Sequence, residues 1–229
     1  MRTENLPEKL VPEDRVAFES LLSKLALYER RFKDKWGAET TIRTIRIADV
    51  PKIVKMGYEM WEEQPWNKGI TQAGIRNNNL KASLQAEGPI ALIAEQYRKP
   101  LGMIWGYDLS NHGRACPYPK NLKKVLAKLS GYLSSGSYRH VIYIRELAVE
   151  PGSRRKGIAG ELLDSFVELA KQEGADDLML DTNVDNIPAI KLYVEKKHYV
   201  PAIDPRSGRE LRGTTADGDI TRFLHLKLK

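Results

Sequence analysis

The 229-residue sequence has a single cysteine, Cys116, so no internal disulfide can form and the fold does not depend on an oxidising compartment. No run of about 18 or more apolar residues occurs, which disfavours a membrane-spanning helix and a membrane partner. The opening Met1-Arg2-Thr3-Glu4-Asn5-Leu6-Pro7-Glu8 has no apolar stretch of signal-peptide type, so secretion by a cleaved signal is disfavoured too. A cytoplasmic location is the expectation. Internal repeats and low-complexity tracts are absent. Hydrophobic residues at 41% and charged residues at 29% match ordinary globular domains rather than collagen-like or disordered chains. His112, His140, His198 and His225 lie in no metal-ligand spacing, and with one cysteine no metal site is expected. Cys116, beside Pro117, reads as an ordinary thiol.

Lys and Arg outnumber Asp and Glu by 37 to 30, a formal net charge of +7. The excess is localised. Residues 108–139 hold Arg114, Lys120, Lys123, Lys124, Lys128 and Arg139 against only Asp108, together with Pro117, Pro119, Gly131 and Gly136, and read as a basic insertion. Lys120 to Lys128 fall at helical spacing, but the only aromatics nearby are Tyr118, Tyr132 and Tyr138, and no nucleic-acid motif accompanies them. A solvated basic helix is the simpler reading, with a nucleic-acid partner as the alternative.

The length is about 1.5 typical domains. Pro12-Glu13-Asp14 looks like a helix start. Phe18, Leu21, Leu22, Leu25, Tyr28, Phe32 and Trp36 then recur at helical spacing up to Gly37, which predicts one long amphipathic helix. Its apolar face must dock on the rest of the chain or on a second copy, the latter giving a homodimer. Beyond it the pattern predicts a strand at Thr41–Ile47, a helix from Asp49 to about Glu63, and a second from Thr71 to about Ala86. A hairpin follows, from Ile90–Glu95 and Leu101–Tyr107. From His140 a strand to Val149, a helix to Glu173, a strand at Leu178–Asp181, a helix from Asn186 and a strand after His198 alternate, an α/β layer arrangement. Ile220, Leu224, Leu226 and Leu228 are expected on one face of a final strand.

The chemically informative stretch is Glu146-Leu147-Ala148-Val149-Glu150-Pro151-Gly152-Ser153-Arg154-Arg155-Lys156-Gly157-Ile158-Ala159-Gly160, a buried-type strand entering a helix through a basic glycine turn. Gly157 and Gly160 let backbone N–H groups approach a ligand closely. The helix N-terminus and Arg154, Arg155 and Lys156 add positive potential, a combination suited to a pyrophosphate. Gly-x-x-x-x-Gly-Lys-Ser/Thr and Gly-x-Gly-x-x-Gly are both absent, so neither a nucleotide triphosphatase nor a dinucleotide enzyme is indicated. A solvated basic turn is the bland alternative.

Arg154-x-x-Gly157-x-Ala159, preceded by the Glu-Leu-Ala-Val strand end, resembles the Arg/Gln-x-x-Gly-x-Gly/Ala signature of the GNAT superfamily of N-acetyltransferases. Leu180-Asp181-Thr182-Asn183-Val184-Asp185-Asn186-Ile187-Pro188-Ala189-Ile190-Lys191-Leu192-Tyr193 resembles its second signature, in the right order and separation. The resemblance covers about residues 41–229, leaving 1–40 as an N-terminal helical extension and 108–139 as an insertion. One departure stands out. The family continues Tyr-x-x-x-Gly-Phe, whereas Tyr193-Val-Glu-Lys-Lys-His198-Tyr199 has one more residue and histidine for glycine.

The resemblance implies a mixed, mostly antiparallel sheet flanked by helices, with splayed strands forming an acetyl-CoA cleft. Leu147, Ala148 and Val149 would line the pantetheine, and Arg154, Arg155, Lys156, Gly157, Ile158, Ala159 and Gly160 would hold the pyrophosphate. Asn186, Ala189 and Tyr193 would complete the donor site. Direct transfer to a primary amine needs a base and an acid. Tyr193 is the candidate acid, against a purely packing role beside Leu192. Glu146, against a salt bridge with Arg145, and Asp181, against a loop cap, are the candidate bases. Glu62 and Glu63, beside Trp61 and Trp66, would border the acceptor. The competing readings are a non-catalytic acyl-CoA sensor and a nucleic-acid-associated protein acetyltransferase that uses the basic insertion.

Overall fold

The structure, a computed structural model, describes residues 10, 12–61, 71, 74–109, 140–204, 207–214, 218 and 220–228. Among them no helix is long and apolar enough to cross a membrane.

Among the described residues nine strands form one sheet: β1 (Glu29–Lys33), β2 (Glu39–Thr44), β3 (Ile90–Gln96), β4 (Lys99–Asp108), β5 (Val141–Val149), β6 (Asp177–Asn183), β7 (Val200–Pro201), β8 (Arg212–Thr214) and β9 (Ile220–Lys227). Their order is β1-β2-β3-β4-β5-β6-β9-β7, with β8 also paired to β9. The β5–β6 pair is parallel and the others are antiparallel. Among the described residues five α-helices accompany the sheet: α1 (Pro12–Leu22), α2 (Val50–Trp61), α3 (Ala82–Gln85), α4 (Ile158–Gln172) and α5 (Ile187–Ile190).

Both faces of the sheet are covered, which is why Ile90 to Ala94 of β3 read as a continuous buried run rather than an alternating one. Leu92 and Ala94 point toward α4, whose Ile158, Leu162, Leu163, Phe166 and Leu169 form its apolar stripe. Ala91 and Ile93 point the other way, toward Phe18 and Leu21 of α1 and Val50, Ile53 and Val54 of α2. Burying each such Leu, Ile or Phe contributes about 1.5–3 kcal/mol.

The single helix expected over Pro12–Trp36 does not form: α1 stops at Leu22, and Glu29–Lys33 become the edge strand β1. Residues four apart share a face in a strand as well as in a helix, so Tyr28 and Phe32 still reach the core, packed under α4. Backbone pairing from Glu29↔Arg43 to Lys33↔Glu39 decides the outcome. A tight turn closes this hairpin. The Asp34 carboxylate accepts the N–H groups of Trp36 (3.0 Å) and Ala38 (2.9 Å), and Gly37 takes φ 84°. The apolar face of α1 docks on the chain's own core through Phe18 and Leu21.

Three smaller expectations shift as well. The expected Thr71–Ala86 helix is π-helical from Ile75 to Lys81 before the short α3. The strand after His198 is only Val200–Pro201. Ile220, placed inward by sequence, is 45% exposed, while Thr221 and Phe223 on the other face of β9 are buried.

Two irregularities position the site. Between β4 and β5 the register shifts from Trp105↔Glu146 to Gly106↔Ile144, so Arg145 is an extra residue, a β-bulge. Ile144 and Leu147 therefore both face α4, while Ala148 packs with Met103 and Trp105 on the opposite side, the face Glu146 shares by alternation. Gly106 is required there, since a Cβ would overlap the Tyr143 carbonyl oxygen and stand 2.8 Å from Phe166. The second irregularity lies beyond α5, where the chain continues as a π-helical segment, Lys191–Lys196. The Lys197 N–H reaches back five residues to the Leu192 carbonyl (3.1 Å), and that of Tyr199 to the Tyr193 carbonyl (2.9 Å). One wide turn thus absorbs the extra residue after Tyr193. His198 takes φ 59° where the family pattern has glycine.

Candidate functional site

Parallel pairing of β5 with β6 runs from Val141↔Asp177 to Ile144↔Leu180 and then ends, although β5 continues to Val149 and β6 to Asn183. The strands fork. A cleft of about 130 Å³ opens at the fork, and its lining brings together the three sequence-predicted catalytic candidates Glu146, Asp181 and Tyr193 with Leu147, Asn186 and Ala189. Met60 from α2, Ile144, Arg145, Leu180 and Thr182 complete it. Leu180 and Thr182 belong to the second signature, whereas Met60, Ile144 and Arg145 carry no local sequence signal. Arg145 and Met60 enter only through the bulge and the packing of α2.

The free edge of β5 follows from its hydrogen-bond alternation. The Glu150 N–H donates to the Leu101 carbonyl across the β4 side (2.8 Å), so Leu147 and Val149 turn their backbone groups the other way, toward the fork. Arg154 Nε already takes the Val149 carbonyl at 3.1 Å. The Leu147 backbone is the ready strand edge for an extended ligand.

Tyr193 is 8% exposed, and its ring lies 5.8 Å from that of Tyr199 at 61°. Burial, then the negative charges of Glu146 and Asp181, raise its pKa well above the ordinary phenol value, so the hydroxyl keeps its proton. Burial likewise raises the Asp181 carboxyl, while the Tyr143 hydroxyl it accepts and the charge of Arg145 pull it back. Asp181 does not cap the following loop. That work falls to Asn183, which accepts the Asp185 N–H at 2.8 Å, and to Asn186, the N-cap of α5, which accepts the Ala189 N–H at 3.3 Å.

The basic turn lies at the same end of the sheet. Arg154 and Arg155 are exposed, Arg155 takes φ 66°, and Gly157 at φ 92° caps α4 with open space where a Cβ would be. Ile158, Ala159 and Gly160 form the first turn of α4, whose N–H groups have no partner inside the helix. A substituted Gly160 would place its Cβ 3.4 Å from Lys197 Cε, and the Lys197 ammonium is held by both Asp164 oxygens at 2.7 and 2.6 Å. On the opposite flank the Lys156 ammonium lies 4.9 Å from the Trp36 ring centre. Glu62, Glu63, Trp66, Cys116 and the basic insertion from residue 110 to 139 lie outside the described residues.

Residues 54–199 match the profile of the Acetyltransferase (GNAT) family. Among solved structures, the chain resembles the ribosomal-protein-S18-alanine N-acetyltransferase of Escherichia coli, with 16% identity, 83% of this chain and 94% of that one covered, and a TM-score of 0.51. It is also similar to yncA of Salmonella typhimurium in complex with acetyl-CoA (16% identity, 83% and 94% covered, TM-score 0.54). The GNAT domain of S. lividans PAT is a third (12%, 87% and 97%, 0.56). No curated protein matches the sequence. The forked, mostly antiparallel sheet is the fold these structures share. This chain belongs to the GNAT acetyltransferase family, whose co-substrate is acetyl-CoA.

Proposed function

We propose that the protein transfers an acetyl group from acetyl-CoA to a primary amine by direct attack within the β5/β6 fork. The observation that carries this reading is the convergence of Tyr193, Asp181 and Glu146 on one cleft at the free edge of β5. The pantetheine arm extends along β5 as an added strand. The Leu147 N–H polarises the thioester carbonyl, and the α4 N-terminus with Arg154, Arg155 and Lys156 holds the pyrophosphate.

The incoming amine must be neutral. Asp181 takes its proton, because a carboxyl raised by burial is a stronger base than a solvated one and Tyr143 fixes its orientation. Glu146 is the second candidate and attracts the cationic form of the amine to the cleft. The amine nitrogen bonds to the acetyl carbon, the carbon–sulfur bond breaks, and the departing thiolate takes the Tyr193 proton. Tyr193 is suited to that role because it remains protonated at all working pH values. The wide turn after Tyr193 keeps it buried in the fork, which supports a catalytic site over a sensor that only binds donor.

Calorimetric titration with acetyl-CoA is expected to show binding that weakens in Arg154→Ala, and absence of binding by the unmodified protein would sink the proposal. The acceptor is then sought among peptide α-amines, lysine ε-amines and small amines, by CoA release; the Escherichia coli neighbour is named for an alanine of ribosomal protein S18.

A further inference from the structure

The β1–β2 turn is fastened to the phosphate turn more firmly than a surface hairpin requires. The Lys35 N–H donates to the Lys156 carbonyl at 3.0 Å, and the Lys156 ammonium lies 4.9 Å from the Trp36 ring centre. The turn itself is rigid. Asp34, though burial opposes its charge, is held below the ordinary carboxylate range by the N–H groups of Ala38 and Trp36 and by Gln96, which reaches Oδ2 at 3.1 Å. Gln96 also donates to Thr40 at 2.8 Å, tying the turn to the end of β3. Such a frame leaves the Trp36 side chain little freedom, yet it remains 65% exposed. A tryptophan held by such a turn and facing solvent beside the Lys156 ammonium is an open stacking surface.

Its position is specific. The thioester fork lies on the β6 side of β5, the phosphate turn follows the end of β5, and the β1–β2 turn touches the phosphate turn from the opposite side. A donor running from the fork through Arg154–Gly160 presents its nucleotide end to Trp36. We propose that Trp36 stacks on the adenine of acetyl-CoA, so that the segment before the first family strand is a donor-specificity element. This rests on the acetyl-CoA reading above.

The test compares acetyl-CoA with acetyl-4′-phosphopantetheine, which keeps one phosphate and lacks the adenosine, by calorimetry on the full chain. In Trp36→Leu the affinity for acetyl-CoA should fall at least about fivefold while that for acetyl-4′-phosphopantetheine stays unchanged, and Trp36→Phe should recover most of the loss. Equal affinity of Trp36→Leu and the unmodified protein for acetyl-CoA would overturn the proposal. An equal loss for both donors would also overturn it, because Trp36 would then only brace Lys156. If the unmodified protein binds neither donor, the acetyl-CoA reading fails and this one with it; normal acetyl-CoA binding with an indifferent Trp36 defeats this one alone.

Discussion

Tyr143 donates its hydroxyl hydrogen to Asp181 across the mouth of the fork, two residues beyond Met179, its partner in the β5–β6 ladder. A hydrogen bond to the carboxylate favours the ionised form, so this contact offsets part of the burial that raises Asp181. In Tyr143→Phe the Asp181 pKa should climb further, and the acid limb of kcat/KM should move to higher pH. An unmoved limb would remove Asp181 from the base role.

Asp181→Asn and Glu146→Gln separate the two candidate bases. The true base variant should lower kcat/KM by about 10²–10⁴-fold and lose the acid limb. The stability sign is opposite for Asp181. A carboxyl whose folded pKa is raised holds a proton that the unfolded chain would release, so it costs stability as pH rises from the ordinary carboxylate range through the raised value. Asp181→Asn should therefore melt higher than the unmodified protein at pH 7, with the difference disappearing near pH 3.

Gly157 and Gly160 look alike in sequence and should behave differently. Gly157 has open space beside it but φ 92°, so Gly157→Ala costs about 1–2 kcal/mol of backbone strain and weakens acetyl-CoA binding by disturbing the α4 N-terminus. Gly160 is helical, and its added Cβ would meet Lys197 only at ordinary contact distance, so Gly160→Ala should stabilise by about 0.5–1 kcal/mol. Thermal melts of the two variants check both signs.

Arg43 is buried between two carboxylates. Its guanidinium reaches Asp49 at 2.7 and 3.0 Å and Glu95 at 2.8 Å twice, which pushes its pKa further upward. Asp49 also accepts the Arg46 N–H at 2.7 Å at the entry to α2. Asp49→Ala should cost about 1.5–3 kcal/mol in denaturant unfolding, because Arg43 loses one of its two carboxylates while keeping Glu95, and the Arg46 N–H loses its partner.

His198 holds a left-handed conformation at φ 59° on an exposed surface. Replacing it with glycine relieves that strain at some cost in unfolded-chain entropy, for a net gain of about 0.5 kcal/mol or slightly more and unchanged turnover. A lower melting temperature would show that the imidazole makes a contact that outweighs the strain.

The parts of this protein legible in its sequence are those with local causes. The turn proposed to hold the pyrophosphate is marked in sequence by Gly157 and adjacent cations, and the residues that line the fork by the order of the two signatures around Val149 and Asp181. The parts that were not legible depend on partners distant in sequence. Tyr28, Phe32 and Trp36 fit helix and strand spacing equally, and only the exposed edge of β2, eleven or more residues away from Tyr28, makes β1 a strand. The bulge at Arg145 needs Gly106 on the neighbouring strand, and it alone turns Glu146 away from the face of Ile144. The extra residue after Tyr193 read as a disruption because a π turn has no compositional mark.

The most direct test of acyl transfer in the fork is the turnover of Tyr193→Phe at saturating acetyl-CoA and acceptor amine, measured by CoA release beside the calorimetric affinity for acetyl-CoA. The account predicts a loss of at least about 10²-fold in kcat with donor affinity nearly unchanged, and an alkaline limb that stays beyond about pH 10 in the unmodified protein. Turnover equal to that of the unmodified protein would contradict it.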